Sequence, residues 1–209
     1  MKLFIKRVLL LLLTLSNSNL YAQKQGQPRI DSLLKELPKQ KEDTNRVNLL
    51  NSLSWDYSSI NPTEGIKYGQ QGLDLATKLA WKEGIAWGNH SLGSNYQHKS
   101  DYPKAIEYEF KALKISEEIG NKKGTADITM GIGIIYQYQS DYTKALEYFF
   151  KALKIGEEIG NKLDIVRTTG NIGLVYQNQS DYPTALEYDL YFTRDKLVDC
   201  FYQRIGTSS

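Results

Sequence analysis

Cysteine and long apolar runs are scarce in this sequence of 209 residues. The single cysteine, Cys200, cannot form an intrachain disulfide, so packing alone must hold the fold together. A structural role as a small apolar residue is favoured for Cys200 over a reactive one. The apolar run from Val8 to Leu15 is shorter than the ~20 residues that cross a bilayer, which argues against a permanent membrane anchor.

Catalytic motifs are also missing, because the sequence contains no HExxH, no GxSxG, no phosphate-binding loop and no pair of CxxC. We therefore expect a protein that is not an enzyme and that holds no cofactor and no metal. The two histidines, His90 and His98, would lie ~12 Å apart along one helix axis, too far to share a metal ion. A surface or groove role is favoured for both. The glutamate pairs at 117–118 and 157–158 are predicted to lie on solvated helix faces.

The first 22 residues have the layout of a secretory signal peptide. A basic start at residues 2–7 and the apolar run precede Leu20-Tyr21-Ala22, which predicts cleavage after Ala22 and export to the periplasm or beyond. Removing the three basic residues of this segment lowers Lys+Arg from 26 to 23, against 24 Asp+Glu. Because the mature chain is then nearly neutral, its charge gives no reason to expect a nucleic-acid partner.

A repeat of 40 residues dominates the remaining sequence. Residues 101–140 and 141–180 are identical at 25 of 40 positions, and residues 61–100 follow the same frame more loosely. Residues 181–188 open a further copy. Self-similarity at such a period predicts an array of supersecondary units that bury their apolar faces against one another.

Each unit carries the pattern of two helices. In the second half of a unit, apolar residues from Tyr142 to Ile159 fall at helical spacing, and the stretch from Leu163 to Gln179 predicts another helix. Between them, Gly160 is placed for a left-handed C-terminal cap and Asn161 for the next N-terminal cap. Because no stretch alternates with the period of a strand, we expect an all-α protein, an α-solenoid of antiparallel helix pairs.

The units resemble tetratricopeptide repeats in their 40-residue form, which is similar to the repeats of kinesin light chains and Leu-Gly-Asn-type adaptor proteins. The best copy matches the family pattern at Gly133, Tyr136, Asp141-Tyr142, Ala145, Phe149 and Ala152-Leu153. The preceding copy matches at Gly93, Tyr96, Asp101-Tyr102, Ala105 and Ala112-Leu113. It departs at Glu109, where the family has an aromatic residue; the flanking Tyr108 and Phe110 are expected to supply the packing instead. The resemblance implies a right-handed superhelix.

The repeat frame divides the chain into seven segments. We expect a signal peptide at 1–22, an N-terminal capping segment at 23–45, a degenerate helix pair at 46–80, full units at 86–119 and 126–159, a partial unit at 166–192 and a divergent tail at 193–209. In the degenerate pair, Gly65 and Gly72 replace the usual alanines and predict a local weakness. In the last copy, Asp189 takes the aromatic position, which predicts an array interrupted within a unit and exposed apolar surface near its end.

Family geometry implies that the first helix of each unit lines a concave face. The candidate groove residues are Trp87, His90, Ser94, Gln97 and His98, then Asp127, Met130, Ile134, Gln137 and Tyr138, then Arg167, Leu174, Gln177 and Asn178. The glutamines at 97, 137 and 177 recur in register. They either form a ladder for an extended peptide backbone, with Trp87 and Tyr138 as anchors, or are simply compatible with a wet helix face.

Two functions fit these observations. The first is an exported, non-catalytic scaffold that binds a protein or peptide through its concave face. The second is a truncated sensor segment of a membrane-bound histidine kinase, nucleotidyl cyclase or regulator, in which contact with a membrane would come only through a missing downstream segment. The sequence leaves the identity of the partner open.

Overall fold

The computed structural model describes residues 26–188, all of which are helical or lie in short connecting segments. The predicted signal peptide at 1–22 and the tail at 193–209 lie outside the described residues, as do Asp189 and Cys200. The elements are α1 (26–36), a 3-10 turn (Leu37–Lys39), α2 (Thr44–Tyr57), α3 (Pro62–Lys78), α4 (Lys82–His98), α5 (Tyr102–Glu118), α6 (Lys122–Tyr138), α7 (Tyr142–Glu158), α8 (Lys162–Asn178) and α9 (182–188). The described part of the chain is therefore all helical, as expected, and none of residues 26–188 forms a strand.

Two kinds of turn alternate along the array. The turns after α5 and α7 place Gly120 and Gly160 at φ +68° and +65°, as the sequence predicts for Gly160. The next residue, Asn121 or Asn161, then accepts a hydrogen bond from the backbone N–H three residues on. The turns after α4, α6 and α8 place a serine at φ 60° to 63° instead. An aspartate follows each of these serines and caps the next helix.

Small residues let the two helices of a unit approach closely. In α7 the buried face is Ala145, Phe149, Ala152 and Gly156, a spacing of four, three and four that keeps all of them on one side. Opposite them, a Cβ on Gly133 would lie 2.6 Å from the Phe149 ring. This contact explains why the first helix has a glycine there.

Stacked tyrosines join the helices of each repeated unit. The ring centroids of Tyr96 and Tyr108 lie 5.3 Å apart, and the same positions recur as Tyr136–Tyr148 at 5.6 Å and Tyr176–Tyr188 at 5.7 Å. Lysines at 104, 111, 144 and 151 lie 5.0 to 5.2 Å from the centroids of these rings. Each aromatic pair adds about 0.5–1.5 kcal/mol beyond the burial of its area.

The first helices of the units form the inner side of the array. Every helix from α2 to α8 packs on its neighbours in sequence, and in addition α2 contacts α4, α4 contacts α6 and α6 contacts α8. Within residues 26–188 no Cα atoms of α3 and α5, or of α5 and α7, come within 8 Å of each other. The second helices are therefore spread further apart, and the rings of Phe110 on α5 and Tyr148 on α7 bridge the gap edge to face with centroids 6.2 Å apart. The array therefore curves with α2, α4, α6 and α8 inside.

The glycines of the degenerate pair have a packing role. A Cβ on Gly65 would overlap the buried side chain of Asn95, and a Cβ on Gly72 would overlap that of Asn51. Asn95 donates to the backbone carbonyl of Ser54 at 2.9 Å, which ties α4 to α2. The weakness expected from helix propensity is thus accompanied by a specific fit of buried amides. Among the described helices, none has the length and apolarity that a bilayer crossing requires.

Candidate functional site

A cavity of about 620 Å³ opens on the inner side of the array. Its walls come mainly from α2, α4 and α6, with Glu109 and Ser116 from α5 and Arg167 from α8. All three tryptophans of the chain, Trp55, Trp81 and Trp87, lie in these walls. The cavity therefore combines a large aromatic surface with polar side chains, a composition typical of binding sites.

Nine of the fourteen residues predicted for the groove line this cavity. They are Trp87, His90, Ser94, Gln97, His98, Asp127, Met130, Ile134 and Arg167. The other five, Gln137, Tyr138, Leu174, Gln177 and Asn178, lie elsewhere on the C-terminal halves of α6 and α8. Tyr138 is 62% exposed and stacks on Tyr102 of α5 with ring centroids 6.4 Å apart. Of the three recurring glutamines only Gln97 borders the cavity, so the glutamine ladder stays a prediction.

A buried pair of titratable side chains forms the floor of the cavity. Nδ1 of His90, on α4, lies 2.8 Å from Oε2 of Glu109, on α5. The side chains are 14% and 2% exposed, and the His90 ring lies against Trp55 with centroids 5.0 Å apart. Burial raises the pKa of Glu109. The nearby Glu109 carboxylate raises the pKa of His90 against the opposing effect of burial.

Glu109 occupies the position that Phe149 holds in the next unit, 40 residues later. A Cβ on Gly93 would lie 2.7 Å from Oε1 of Glu109, as a Cβ on Gly133 would crowd the Phe149 ring. The expectation that Tyr108 and Phe110 pack in place of the aromatic residue is therefore wrong: Glu109 itself is buried, whereas Phe110 is 39% exposed. The unit keeps the aromatic position's space and fills it with a hydrogen-bonded carboxyl group.

The remaining charges of the cavity come from α4, α6 and α8. Arg167 lies 3.2 Å from Asp127, which ties α8 to α6 at a spacing of one repeat. Glu83, at the start of α4, also lines the cavity. With Glu109, the lining has three carboxyl groups and one guanidinium group, so negative charge is in excess when the histidines are neutral. No cluster of three or more His, Cys, Asp or Glu side chains suited to a metal ion occurs within residues 26–188.

The sequence reasoning missed four features of this site: Trp55, Trp81, Glu83 and the role of Glu109. Trp55 and Trp81 belong to the degenerate pair and the turn after it, where the repeat pattern is too weak to predict which side of a helix faces the groove. Glu109 carried a signal, since it departs from the aromatic pattern. Its partner His90 is 19 residues away, beyond the reach of helical periodicity.

Comparison with known proteins agrees with this geometry. The tetratricopeptide repeat family matches residues 84–158 and 124–189, which together cover half of the chain. Among curated proteins, no sequence matches it.

Solved structures with the same fold include three of different kinds. A Rap protein in complex with competence and sporulation factor superimposes with a TM-score of 0.75 and 20% identity, over 85% of this chain and 51% of that one. A Podosopora anserina putative kinesin light chain with nearly identical TPR-like repeats superimposes with a TM-score of 0.60 and 15% identity, over 88% of this chain and 93% of that one. A signal transduction ATPase with a tetratricopeptide repeat sensor, from Pyrococcus horikoshii, superimposes with a TM-score of 0.69 and 19% identity, over 86% of this chain and 28% of that one. The chain thus spans about half the length of the Rap protein.

Proposed function

This chain belongs to the tetratricopeptide repeat family, and we propose that it is a non-catalytic scaffold that binds a peptide, or an extended segment of a protein, in the cavity on its inner face. One observation carries the proposal: the three tryptophans of the chain all line that single cavity. A complex of a Rap protein, which has the same fold, with competence and sporulation factor supports it.

Tryptophan is suited to this role because it buries a large area at a small cost in conformational entropy. Residues that contribute most to binding are enriched in tryptophan and cluster where water is excluded. Trp87 lies on the cavity-lining face of α4, one helical turn from His90. Two polar residues further along the same helix, Ser94 and the recurring Gln97, offer hydrogen bonds to a peptide backbone.

The test is a selection of random 12-residue peptides displayed on phage against the purified chain. Binding of the enriched peptides is then measured by tryptophan fluorescence, since all three reporters lie in the cavity. Trp87→Ala is expected to weaken binding about tenfold or more. Phe150→Ala is the matched control, because Phe150 is an exposed aromatic residue on α7, outside the cavity. Equal affinities of the two variants would place the binding surface elsewhere and contradict the proposal.

The second candidate function is a sensor segment of a larger membrane-bound signalling protein. It is supported by the signal transduction ATPase, in which a tetratricopeptide repeat sensor is part of a much longer chain. The DNA downstream of codon 209 distinguishes the two candidates. Coding sequence for further repeats, a membrane span and an output domain, in frame or after a frameshift, favours the sensor; an unrelated gene removes this candidate.

We also propose that the chain is exported, on the basis of the signal-peptide pattern of residues 1–22. Expression in a bacterial host with separation of periplasm and cytoplasm tests this. The periplasmic form is expected to begin at Gln23, as read by mass spectrometry of its N-terminal peptide. A chain that stays in the cytoplasm with its first 22 residues intact would exclude export.

A further inference from the structure

We propose that the partner presents an arginine or lysine side chain to the part of the cavity formed by Trp55, Glu83, Trp87 and the His90–Glu109 pair. This inference rests on the proposed function and names the chemistry that the cavity selects. Two independent features of the described residues carry it: the balance of charge in the cavity and the arrangement of its aromatic walls.

The charge balance favours a cation. Asp127 and Arg167 lie 3.2 Å apart and largely neutralise each other. In the cavity lining, whose one guanidinium or ammonium group is Arg167, the Glu83 carboxyl group then has no basic group beside it and that of Glu109 has only the imidazole of His90. A basic side chain of a partner would balance this excess in a partly desolvated site, where charge pairing discriminates strongly between partners.

The aromatic walls favour the same occupant. Glu83, Trp87 and His90 follow one another at spacings of four and three on α4, so they form one stripe facing the cavity. Trp55 closes this part from α2, in contact with the His90 ring. Indole faces attract cations and stack on the planar guanidinium group of arginine. A cationic side chain between them would also lie beside the carboxylates.

The His90–Glu109 pair borders the cavity, although the Glu109 side chain is only 2% exposed. Gly131, on α6, has no side chain there: a Cβ on it would lie 3.3 Å from Oε1 of Glu109 and 3.4 Å from Cε1 of His90. Asn171, one repeat later, shows that a larger residue occurs at the same place in the frame. Glycine at 131 therefore places no side chain over Oε1 of Glu109, while Oε2 is engaged by His90.

The experiment uses peptides from the selection described above and compares each one with a copy in which arginine is replaced by citrulline, or lysine by norleucine. Citrulline keeps the shape of arginine but removes its charge. On the wild-type chain we expect the neutral copy to bind about tenfold more weakly or worse. On Glu109→Gln, which can still accept a hydrogen bond from His90, the difference between the two peptides should shrink to about threefold or less.

Glu83→Gln provides a second variant, so that the test stands if Glu109→Gln fails to fold by circular dichroism. It should also reduce the difference between charged and neutral peptides. Glu157→Gln is the control, because Glu157 is an exposed carboxylate outside the cavity lining, and it should leave the difference unchanged.

The outcomes separate this inference from the proposed function. Peptides that depend on Trp87 but bind equally well with citrulline or norleucine would overturn the inference and leave the proposed function standing. Peptides without any basic residue that bind in the cavity would do the same. A selection that yields no peptide dependent on Trp87 would overturn both.

Discussion

The units α4–α5 and α6–α7 have the same helix lengths and the same turns, yet they differ where their two helices meet. In α6–α7 the meeting point is apolar: Met130 and Phe149 are 3% and 0% exposed. In α4–α5 the same two positions hold His90 and Glu109, which are hydrogen-bonded to each other. The comparison shows that one backbone geometry accepts either a dry contact or a buried titratable pair.

The two solutions share a space that glycine creates. Gly93 faces Glu109 and Gly133 faces Phe149 at nearly the same distance, 2.7 and 2.6 Å from a notional Cβ. In the degenerate pair at 46–80, Gly69 has the position that Glu109 and Phe149 hold in the later units. The side chains of Leu92 and Ser54, from the neighbouring helices, occupy the space beside it. In all three pairs this volume is filled, but the residue that fills it can be apolar or titratable and can therefore contribute its chemistry to the cavity.

The largest effect is expected from breaking the pair on one side only. His90→Met leaves the Glu109 carboxyl group buried without its partner, and loss of one member of a buried charged pair costs about 3–5 kcal/mol. We expect urea unfolding at pH 7 to show this loss in the free energy of unfolding. His98→Met is the matched control, because His98 is exposed and bonds only to the Ser94 carbonyl of its own helix. Equal stability of the two variants would show that Glu109 does not depend on His90.

The next effect comes from converting one unit into the other. The double variant His90→Met with Glu109→Phe gives α4–α5 the residues of α6–α7, and apolar replacement of a buried ion pair is neutral or stabilising by about 1–4 kcal/mol. We therefore expect the double variant to recover the loss of the single variant and to match or exceed the wild type in urea unfolding. A double variant as unstable as His90→Met would mean that the space beside Gly93 cannot hold a phenyl ring as the space beside Gly133 does.

The pair should also give the wild type a pH dependence that the double variant lacks. The pKa of His90 is raised by Glu109 and by Asp127 and is lowered by Arg167 and by burial, while burial raises the pKa of Glu109. A group whose pKa is higher in the folded state stabilises the fold at low pH. The contribution of His90 is complete below its ordinary pKa of 6.5 and is lost as the pH rises through the raised value. The raised pKa of Glu109 acts in the same direction: its contribution to stability is complete below its ordinary pKa of 4.5 and is lost as the pH rises through the raised value.

The measurement is the difference in unfolding free energy between wild type and double variant, followed from pH 5 to pH 9. Taking the difference removes the exposed carboxylates with lowered pKa, Glu42 and Asp141, which are present in both proteins. We expect the wild type to lose stability relative to the double variant as the pH rises. A constant difference would contradict the coupling of the pair.

The architecture could be predicted from the sequence because local sequence patterns determine it. The glycine and serine turns and the capping Asn and Asp residues each act within a few positions, and they place α7 and α8 within one residue. The units expected at 86–119 and 126–159 begin four residues after the first residues of α4 and α6. The groove residues on α4 could be predicted for the same reason, since all five share one helical face and all five line the cavity.

The rest of the site depends on contacts between helices of different repeats, which the 40-residue period does not predict. Trp55 reaches the cavity only because α2 packs directly on α4. Tyr138 and Leu174 occupy repeat positions equivalent to His98 and Ser94, yet they lie outside the cavity, because its walls close around α4 and the part of α6 that ends at Ile134. The burial of Glu109 follows from the absence of a side chain at Gly93, a contact between two helices that no single helical pattern reveals.

The smallest expected effect tests the turns that bound the α6–α7 unit. Gly160, after α7, has φ +65° and nothing within 4 Å of a notional Cβ, so Gly160→Ala should cost about 1 kcal/mol through backbone conformation alone. Ser140, after α6, adopts φ 60° with a side chain, so Ser140→Gly should raise the free energy of unfolding by up to about 1 kcal/mol. Urea unfolding of the two variants should thus give shifts of opposite sign. Shifts of the same sign would mean that the serine turn is held by its side chain and that the two turns are not equivalent closures of the same array.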